Sequence, residues 1–448
     1  MDPYTVAIWA DCEMDLQCPT SKGSSARPGR GLVEGHRLAR GRGWKPDGVF
    51  LPMTDQNAND IWAEMDVLRT PRPNGSRALR CIVDAVDAWL AGQGIAGQSH
   101  AFTLRPFSME ILGLWLLLGG LLLILALAIR RGEVALLVIL GLVAVLVLET
   151  RFLRPTVTAL VRRPARNLVV AFPAPTPRRE VILCAHLDSK TELLDHERRQ
   201  RLLDSGPAAM ALGVAGALFL SIAPLLRSEM AAELAYYMNL FLGIGPAAVY
   251  ALSMGANLAA GRLRRRPSSG AVDNGGAVVV LLDLARRLQR GEIPLQHTAV
   301  TLLFTVGEEA QMQGALAYVR DRDDWPLPVQ VVNLEIVGQN GSYALWVEDG
   351  TAMRTLDADA DLNDALARAV EAETGDRPTF AESINSDAFA FLRRGLPAAT
   401  LGSLDRELGE ADLHGPLDHA DRIEPARLAQ TADILTHFLL AHDVNPLP

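Results

Sequence analysis

Lysine is almost missing from this chain of 448 residues. Of its 43 basic residues only Lys22, Lys45 and Lys190 are lysine, so Schiff-base chemistry has almost no candidates. Cysteine is as scarce: Cys12, Cys18, Cys81 and Cys184, at unrelated spacings, are too few for a disulfide framework or a thiolate zinc knuckle. Positive charge is not in excess either. A net charge of −9 and a pI near 5.6 lack the basic footprint of a nucleic-acid binder, so no nucleic-acid partner is expected. H-E-x-x-H, G-x-S-x-G and G-x-x-x-x-G-K-[ST] are all absent, which removes those routes to hydrolysis and phosphate binding. The segment GIGPAA at Gly243–Ala248 mimics a dinucleotide fingerprint, but it lies inside an apolar run with no strand before it. The first hundred residues contain no apolar run of the signal-peptide type, so no cleaved leader is expected.

Apolar residues, at 49% of the chain with a mean hydropathy of +0.14, are in surplus for a soluble domain and are concentrated. Ile111–Ile129 is uncharged, long enough at about 1.5 Å per residue to cross a hydrocarbon core. After Arg130-Arg131-Gly132-Glu133 comes Val134–Leu148, again uncharged. Pro207–Leu226 and Leu234–Gly261 repeat the pattern, the last containing the helix breakers Gly243, Gly245 and Pro246, which membrane helices tolerate where neighbours re-satisfy the backbone. Buried core helices are the alternative reading. The expectation is two transmembrane hairpins, over 111–148 and 207–261, with the lipid bilayer as partner.

Arginine counts orient them. The hairpin tips carry Arg130, Arg131 and Arg227; the other side carries Arg105, Arg151, Arg154, Arg162, Arg163, Arg166, Arg262, Arg264, Arg265 and Arg266. An integral membrane protein of the inner or plasma membrane, with its soluble mass on the cytoplasmic side, is expected. The arginines at the hairpin bases would lie near anionic head groups and hold the adjoining edge of the domain close to the bilayer.

Residues 1–52 show neither helical nor strand period and are read as a disordered tail, or as translated upstream sequence if the true start is Met53. Asn74–Gly94 has helical periodicity, and Ala101–Phe107 reads as a strand. From residue 167 onward, short apolar runs alternate with amphipathic helices. Strands are expected at Leu168–Phe172, Val181–Ala185, Ala299–Val306, Val329–Val337, Tyr343–Val347 and Ala398–Leu401, and helices at Gly275–Gln289, Ala310–Arg320, Asp361–Glu373, Ser386–Arg394 and Pro425–His442. Runs such as VTLLF do not alternate, as in strands buried on both faces. The fold class is therefore α/β, a mixed, mainly parallel sheet flanked by helices, with the two hairpins inserted. The soluble domain comprises 53–110, 164–206 and 262–448.

Polar residues gather at the expected strand ends, where open α/β sheets bind ligands. VILCA ends in His186-Leu187-Asp188, Asp273-Asn274 precedes a helix, TAVTLLFTV ends in Gly307-Glu308-Glu309, VQVVN ends near Glu335, and a late loop carries His414 and His419. Singly, each has an ordinary reading: Asp273 could cap its helix, Glu308 and Glu309 could favour the first turn of the next, and a lone histidine is more often a satisfied surface or core residue. Together, two histidines and three or four carboxylates are the ligand mix of a zinc pair bridged by a carboxylate and a water. Such a site needs one further carboxylate as general base, and the Glu308-Glu309 pair offers both roles. Asp188 could orient the His186 imidazole.

HLDS, VDN, FTVGEEAQMQG, NLEIVG, SDAFAFLRRGLP and LHGPLDHADRI follow one another in this order. They resemble the motifs of metallopeptidase family twenty-eight, the co-catalytic zinc aminopeptidases with the glutamate carboxypeptidases and glutaminyl cyclases. The segment from Arg72 to Phe107 is similar to that family's opening helix and first strand, and the resemblance covers roughly 68–110, 164–190 and 268–442. It implies a zinc exopeptidase fold, with His186 and Glu335 on one zinc, Glu309 and His414 on the other, Asp273 bridging and Glu308 as general base. The implied protein is a membrane-anchored zinc aminopeptidase acting on a peptide or peptide-like amide. The chain departs from the pattern in having Glu335 where Asp is usual, Leu413 where tyrosine often precedes the last histidine, and a hairpin between HLD and VDN. A glutaminyl-cyclase-like enzyme with one zinc on Asp273, Glu309 and His414 is the alternative within the family, suggested by CAHLDSK and FLRRGLP. An inactive receptor or scaffold is opposed by the retained ligand types, and a transporter by the lack of charge within the spans.

Overall fold

Continuous apolar runs become the central strands, because a strand covered on both faces has no use for alternation. In the computed structural model, which describes residues 61–62, 65–194, 196–405 and 413–444, nine strands form one mixed sheet. They are β1 (Gln98–Leu104), β2 (Arg163–Phe172), β3 (Arg179–His186), β4 (Thr298–Thr305), β5 (Val329–Glu335), β6 (Gly341–Thr351), β7 (Arg354–Asp357), β8 (Thr379–Ile384) and β9 (Ala398–Asp405). The order is β1-β2-β4-β3-β5-β9-β6-β7, with β8 pairing β6. β4, β3, β5 and β9 run parallel, whereas β1, β2 and β6 pair antiparallel with their neighbours along that order. Every residue of β3 is buried.

The helices are α1 (Arg77–Gly92), α2 (Ser108–Ala128), α3 (Gly132–Leu146), α4 (His196–Ile222), α5 (Glu229–Leu242), α6 (Ile244–Ala260), α7 (Gly276–Gln289), α8 (Gln313–Asp321), α9 (Ala360–Thr374), α10 (Ala388–Leu392) and α11 (Pro425–Val444). The main core joins α1, α7, α9 and α11 to the sheet through residues such as Ile82, Val86, Val280, Leu366 and Leu435. A second cluster holds only helix residues, among them Leu116, Leu123, Ile139, Met210, Ala247 and Ala251, so α2, α3, α4 and α6 share a separate interior.

Among the described residues, four segments are long and apolar enough to cross a membrane: Ser108–Ala128, Gly132–Arg151, Glu197–Leu225 and Glu229–Leu263. The fourth is broken at Gly243 (φ −116°, ψ −97°) into α5 and α6, where the glycine and proline breakers cluster. Small residues let these helices touch: a Cβ placed on Gly255 of α6 would fall 2.6 Å from the Gly113 carbonyl oxygen of α2.

Several expected boundaries move for local reasons. The first strand is Gln98–Leu104 rather than Ala101–Phe107, because Arg105-Pro106-Phe107 turns into α2. The helix expected from Ala310 starts at Gln313, since Gln311 and Met312 adopt left-handed backbone. β5 stops at Glu335 because Ile336 has φ +47°. β7 and β8 carry too little apolar signal to be read from sequence. The expected tail over 1–52 lies outside the described residues.

Candidate metal centre

The parallel strands end on one edge, and there the polar residues converge. β3 delivers His186 at its last position, β4 runs into Gly307-Glu308-Glu309, and β5 ends on Glu335. The chain leaves β3 for β4 on one side and reaches β5 on the other, so these residues sit at a switch in strand order. Asp273 comes from the segment before α7 and His414 from the loop after β9.

His186 Nε2 lies 3.0 Å from Asp273 Oδ1 and 3.4 Å from Glu335 Oε2; His414 Nε2 lies 3.0 Å from both Asp273 Oδ2 and Glu309 Oε1. Two triads result, His186–Asp273–Glu335 and Asp273–Glu309–His414, and within each the ligand atoms lie within 4.8 Å of one another. Asp273 belongs to both and offers one oxygen to each side. All five side chains are buried. The longer Glu335 still reaches His186, steadied by Asn274 Nδ2 donating to Oε2 (3.0 Å) and Asn333 Nδ2 donating to Oε1 (3.1 Å).

The ordinary readings of Asp273 and the glutamate pair do not hold. α7 begins without a side-chain cap and Asp273 faces the two imidazoles instead. α8 begins only at Gln313, beyond the first-turn reach of Glu308 and Glu309.

Asp188 works differently from the expected carboxylate–imidazole pair. Its backbone oxygen lies 3.1 Å from His186 Nδ1, whereas its carboxylate is 3.8 Å away. The carboxylate instead accepts the backbone N–H groups of Gly307 (2.8 Å), Glu308 (3.2 Å) and Glu309 (3.1 Å), and the Asn74 amide (2.7 Å). The Gly307 turn, at φ +89°, suits only glycine comfortably. Asp188 thus shapes the turn that aims both glutamates.

Further buried groups hold the same edge, and the sequence did not single them out. Asp418 accepts from Val272 N (2.7 Å) and from Ser268 Oγ (2.5 Å), bracing the segment into Asp273. Arg72, fully buried, donates to the carbonyls of Leu187, Ser269 and Gly270. Glu192 lies 3.8 Å from His414 Nδ1, and Arg199 Nη1 donates to that nitrogen at 3.0 Å. Burial raises the Glu192 carboxyl, but Arg199, Lys190 and His414 outweigh it and hold it well below its usual range. Asp387, hydrogen bonded by Thr305 Oγ1, is pushed up to about 7 by burial. Asp387 lies inside the SDAFAFLRRGLP motif, Asp418 inside LHGPLDHADRI, and Arg72 opens the segment that resembles the first helix and strand; Glu192 and Arg199 lie in none of these. His419 is not part of the set.

Glu308 Oε2 stands 4.0 Å from His186 Nε2, outside both triads. Burial pushes its carboxyl well above the usual range; His186 opposes this, and Glu309, Glu335 and Asp387 reinforce it. Four carboxylates packed this closely in a buried site need compensating cations, and two imidazoles with carboxylate oxygens are a zinc-type donor set. Glu309 Oε1, buried with His414 Nε2 3.0 Å away but no donor in hydrogen-bonding geometry, is an acceptor such an ion would satisfy. The residues fit the metal.

Residues 253–439 match Peptidase family M28. That match begins in α6 and takes in Asp273, Glu308, Glu309, Glu335 and His414. His186 and Asp188 lie before it. No curated protein shows detectable similarity to the chain. Among solved structures, a Zn-dependent exopeptidase from Parabacteroides distasonis shares the fold (14% identity, TM-score 0.51, covering 88% of this chain and 99% of that one). The glutaminyl cyclases of Bacteroides thetaiotaomicron (12% identity, TM-score 0.50, 87% and 99%) and Fimbriiglobus ruber (13% identity, TM-score 0.50, 89% and 99%) share it as well. The chain thus matches the M28 family model over 253–439 and shares its fold with these solved structures.

Proposed function

We propose that the chain is a membrane-embedded zinc exopeptidase of the aminopeptidase type, with its soluble domain on the cytoplasmic side. The carrying observation is the pair of triads sharing Asp273, with a further acidic residue, Glu308, beside them and outside both. His186 and Glu335 would hold one zinc, Glu309 and His414 the other, and Asp273 would bridge. Zinc, when bound, supplies Lewis-acid polarisation of a scissile carbonyl and of the attacking water.

The protein's own residues do the rest. Glu308 takes the proton of the attacking water and returns it to the leaving amine, a role suited to a carboxyl whose proton affinity is raised. Asp188 fixes the backbone on which that carboxyl stands. The His186 ring is held by the Asp188 carbonyl, so Nε2 faces the site.

Membrane insertion draws on the outward faces of the four apolar segments. Leu118, Leu121, Leu125, Leu137 and Phe241 are all more than half exposed, Leu137 and Phe241 at 70% and 72%. Large apolar side chains exposed in this number are costly in water and natural in lipid.

A second reading has its own observation. The Asp273–Glu309–His414 triad is complete by itself, and a glutaminyl-cyclase-like enzyme would need only that zinc. Zinc analysis of the purified protein, read together with release of free amino acid from short peptides, separates the two. About two zinc ions with release support the exopeptidase; one zinc, with cyclisation of an N-terminal glutamine and no release, supports the cyclase.

A further inference from the structure

The chain passes between the soluble domain and the apolar helices four times, and every passage lies on one edge of the sheet. β1 leads into α2, and Leu104 at its end pairs with Arg163 at the start of β2, where the chain returns from α3. The start of β2 in turn runs alongside the end of β4, with Leu168 opposite Phe304. That end carries Glu308 and Glu309. The second pair of passages joins His186, the end of β3, to α4, and α6 to Asp273.

Side-chain contacts place the helix bases against the metal-ligand candidates. Ser108, the first residue of α2, donates to Ala310 O, one residue from Glu309. Just past α3, Glu149 O accepts from Gln311 Nε2 at 3.2 Å. On the other flank, Asn257 in the last turn of α6 donates to Glu192 Oε2 (3.4 Å), and its Oδ1 accepts from Leu193 N (2.9 Å) and Leu194 N (2.8 Å). Glu192 faces His414, and Arg199, near the start of α4, contacts the same imidazole. Each hairpin base is thus one or two contacts from a candidate ligand, and the site lies between the two.

From this we infer that the site opens onto the bilayer surface and that its substrate is a polypeptide anchored in that bilayer, presented by a free end only a few residues from the membrane. The inference rests on the proposed membrane-embedded exopeptidase and adds its substrate class. Distances set the test. β3 has 8 residues, so the opposite edge of the sheet stands about 26 Å farther from the helix bases. A spacer of about 5 residues spans at most about 17 Å and cannot reach a site on that far edge. A Gly/Ser spacer of about 40 residues has a typical reach of about 35 Å and can.

The experiment uses the full-length zinc-loaded protein in phosphatidylcholine vesicles. Three peptides share one N-terminal sequence: one carries a C-terminal dialkyl-lipid anchor after the short spacer, one the same anchor after the long spacer, and one has no anchor. Release of the first amino acid is measured at equal bulk concentration. The expected order is short spacer first, at least tenfold faster than the unanchored peptide and faster than the long spacer. Cleavage of the long-spacer peptide with the short one left intact would put the site on the far edge and overturn the inference. Equal release from all three would also overturn it while leaving the exopeptidase reading intact. Release from none, with zinc bound, would remove the exopeptidase reading and the inference with it.

Discussion

Adjacent glutamates at the end of β4 carry opposite assignments, and single substitutions separate them. Glu309 lies 3.0 Å from His414 Nε2 within a triad, whereas Glu308 lies outside both triads with its carboxyl pushed up by burial. Glu308→Gln is expected to keep bound zinc unchanged while turnover falls by about 10²–10⁴, the usual contribution of a general base. Glu309→Gln is expected to lose zinc. Metal analysis beside the kinetics checks both, and the opposite pattern would reverse the roles. Asp188 gives a second prediction at this scale. Asp188→Asn keeps the backbone carbonyl behind His186 but weakens acceptance from three N–H groups of the 307–309 turn. Activity should fall more steeply than zinc affinity at the His186 side; equal losses of both would mean that the carboxylate serves the imidazole after all. The metal-ligand candidates were legible in sequence because His186, Glu309 and Glu335 stand at or just past the ends of readable strands, Asp273 precedes a readable helix, and His414 lies in the LHGPLDHADRI motif. Glu192 and Arg199 were not, since they lie outside the motifs and meet His414 only across segments far apart in the chain.

Helices α2 and α6 meet through glycine, so their seam is sensitive to a single methyl group. A Cβ on Gly255 would sit 2.6 Å from Gly113 O and 2.7 Å from Leu117 N, both backbone atoms that move only with the helix. Gly255→Ala is expected to destabilise the detergent-solubilised protein by about 1–3 kcal/mol, the range for overpacking a close contact. Leu125→Ala, on a side chain 54% exposed, should change its melting temperature far less in the same detergent. Equal shifts for the two would argue against this seam. The four apolar runs were readable from composition alone; in the structure the third starts ten residues earlier than expected, at Glu197, and the other ends move by one to five residues. The break at Gly243 was foreshadowed by Gly243, Gly245 and Pro246. β7 and β8 escaped because four exposed or half-buried residues and a six-residue edge strand present no buried run; their pairing to β6 is a tertiary outcome.

At the scale of the whole molecule, the proposed topology returns both hairpins to the side they left, so residue 444 at the end of α11 shares a face with the candidate metal centre. The arginines at the hairpin bases, Arg264-Arg265-Arg266 among them, outnumber those at the tips and favour the cytoplasm for that face. A C-terminal alkaline phosphatase fusion is therefore expected to stay inactive and a fluorescent-protein fusion to fold; an active phosphatase would put the site outside. The central claim is narrower than topology: Asp273 is shared by two zinc ions. Zinc content per chain, measured on the purified wild type, His186→Ala and Asp273→Ala, tests it most directly. About two ions in the wild type, about one in His186→Ala and one or none in Asp273→Ala is the predicted result. One zinc in the wild type and an unchanged one zinc in His186→Ala would contradict it.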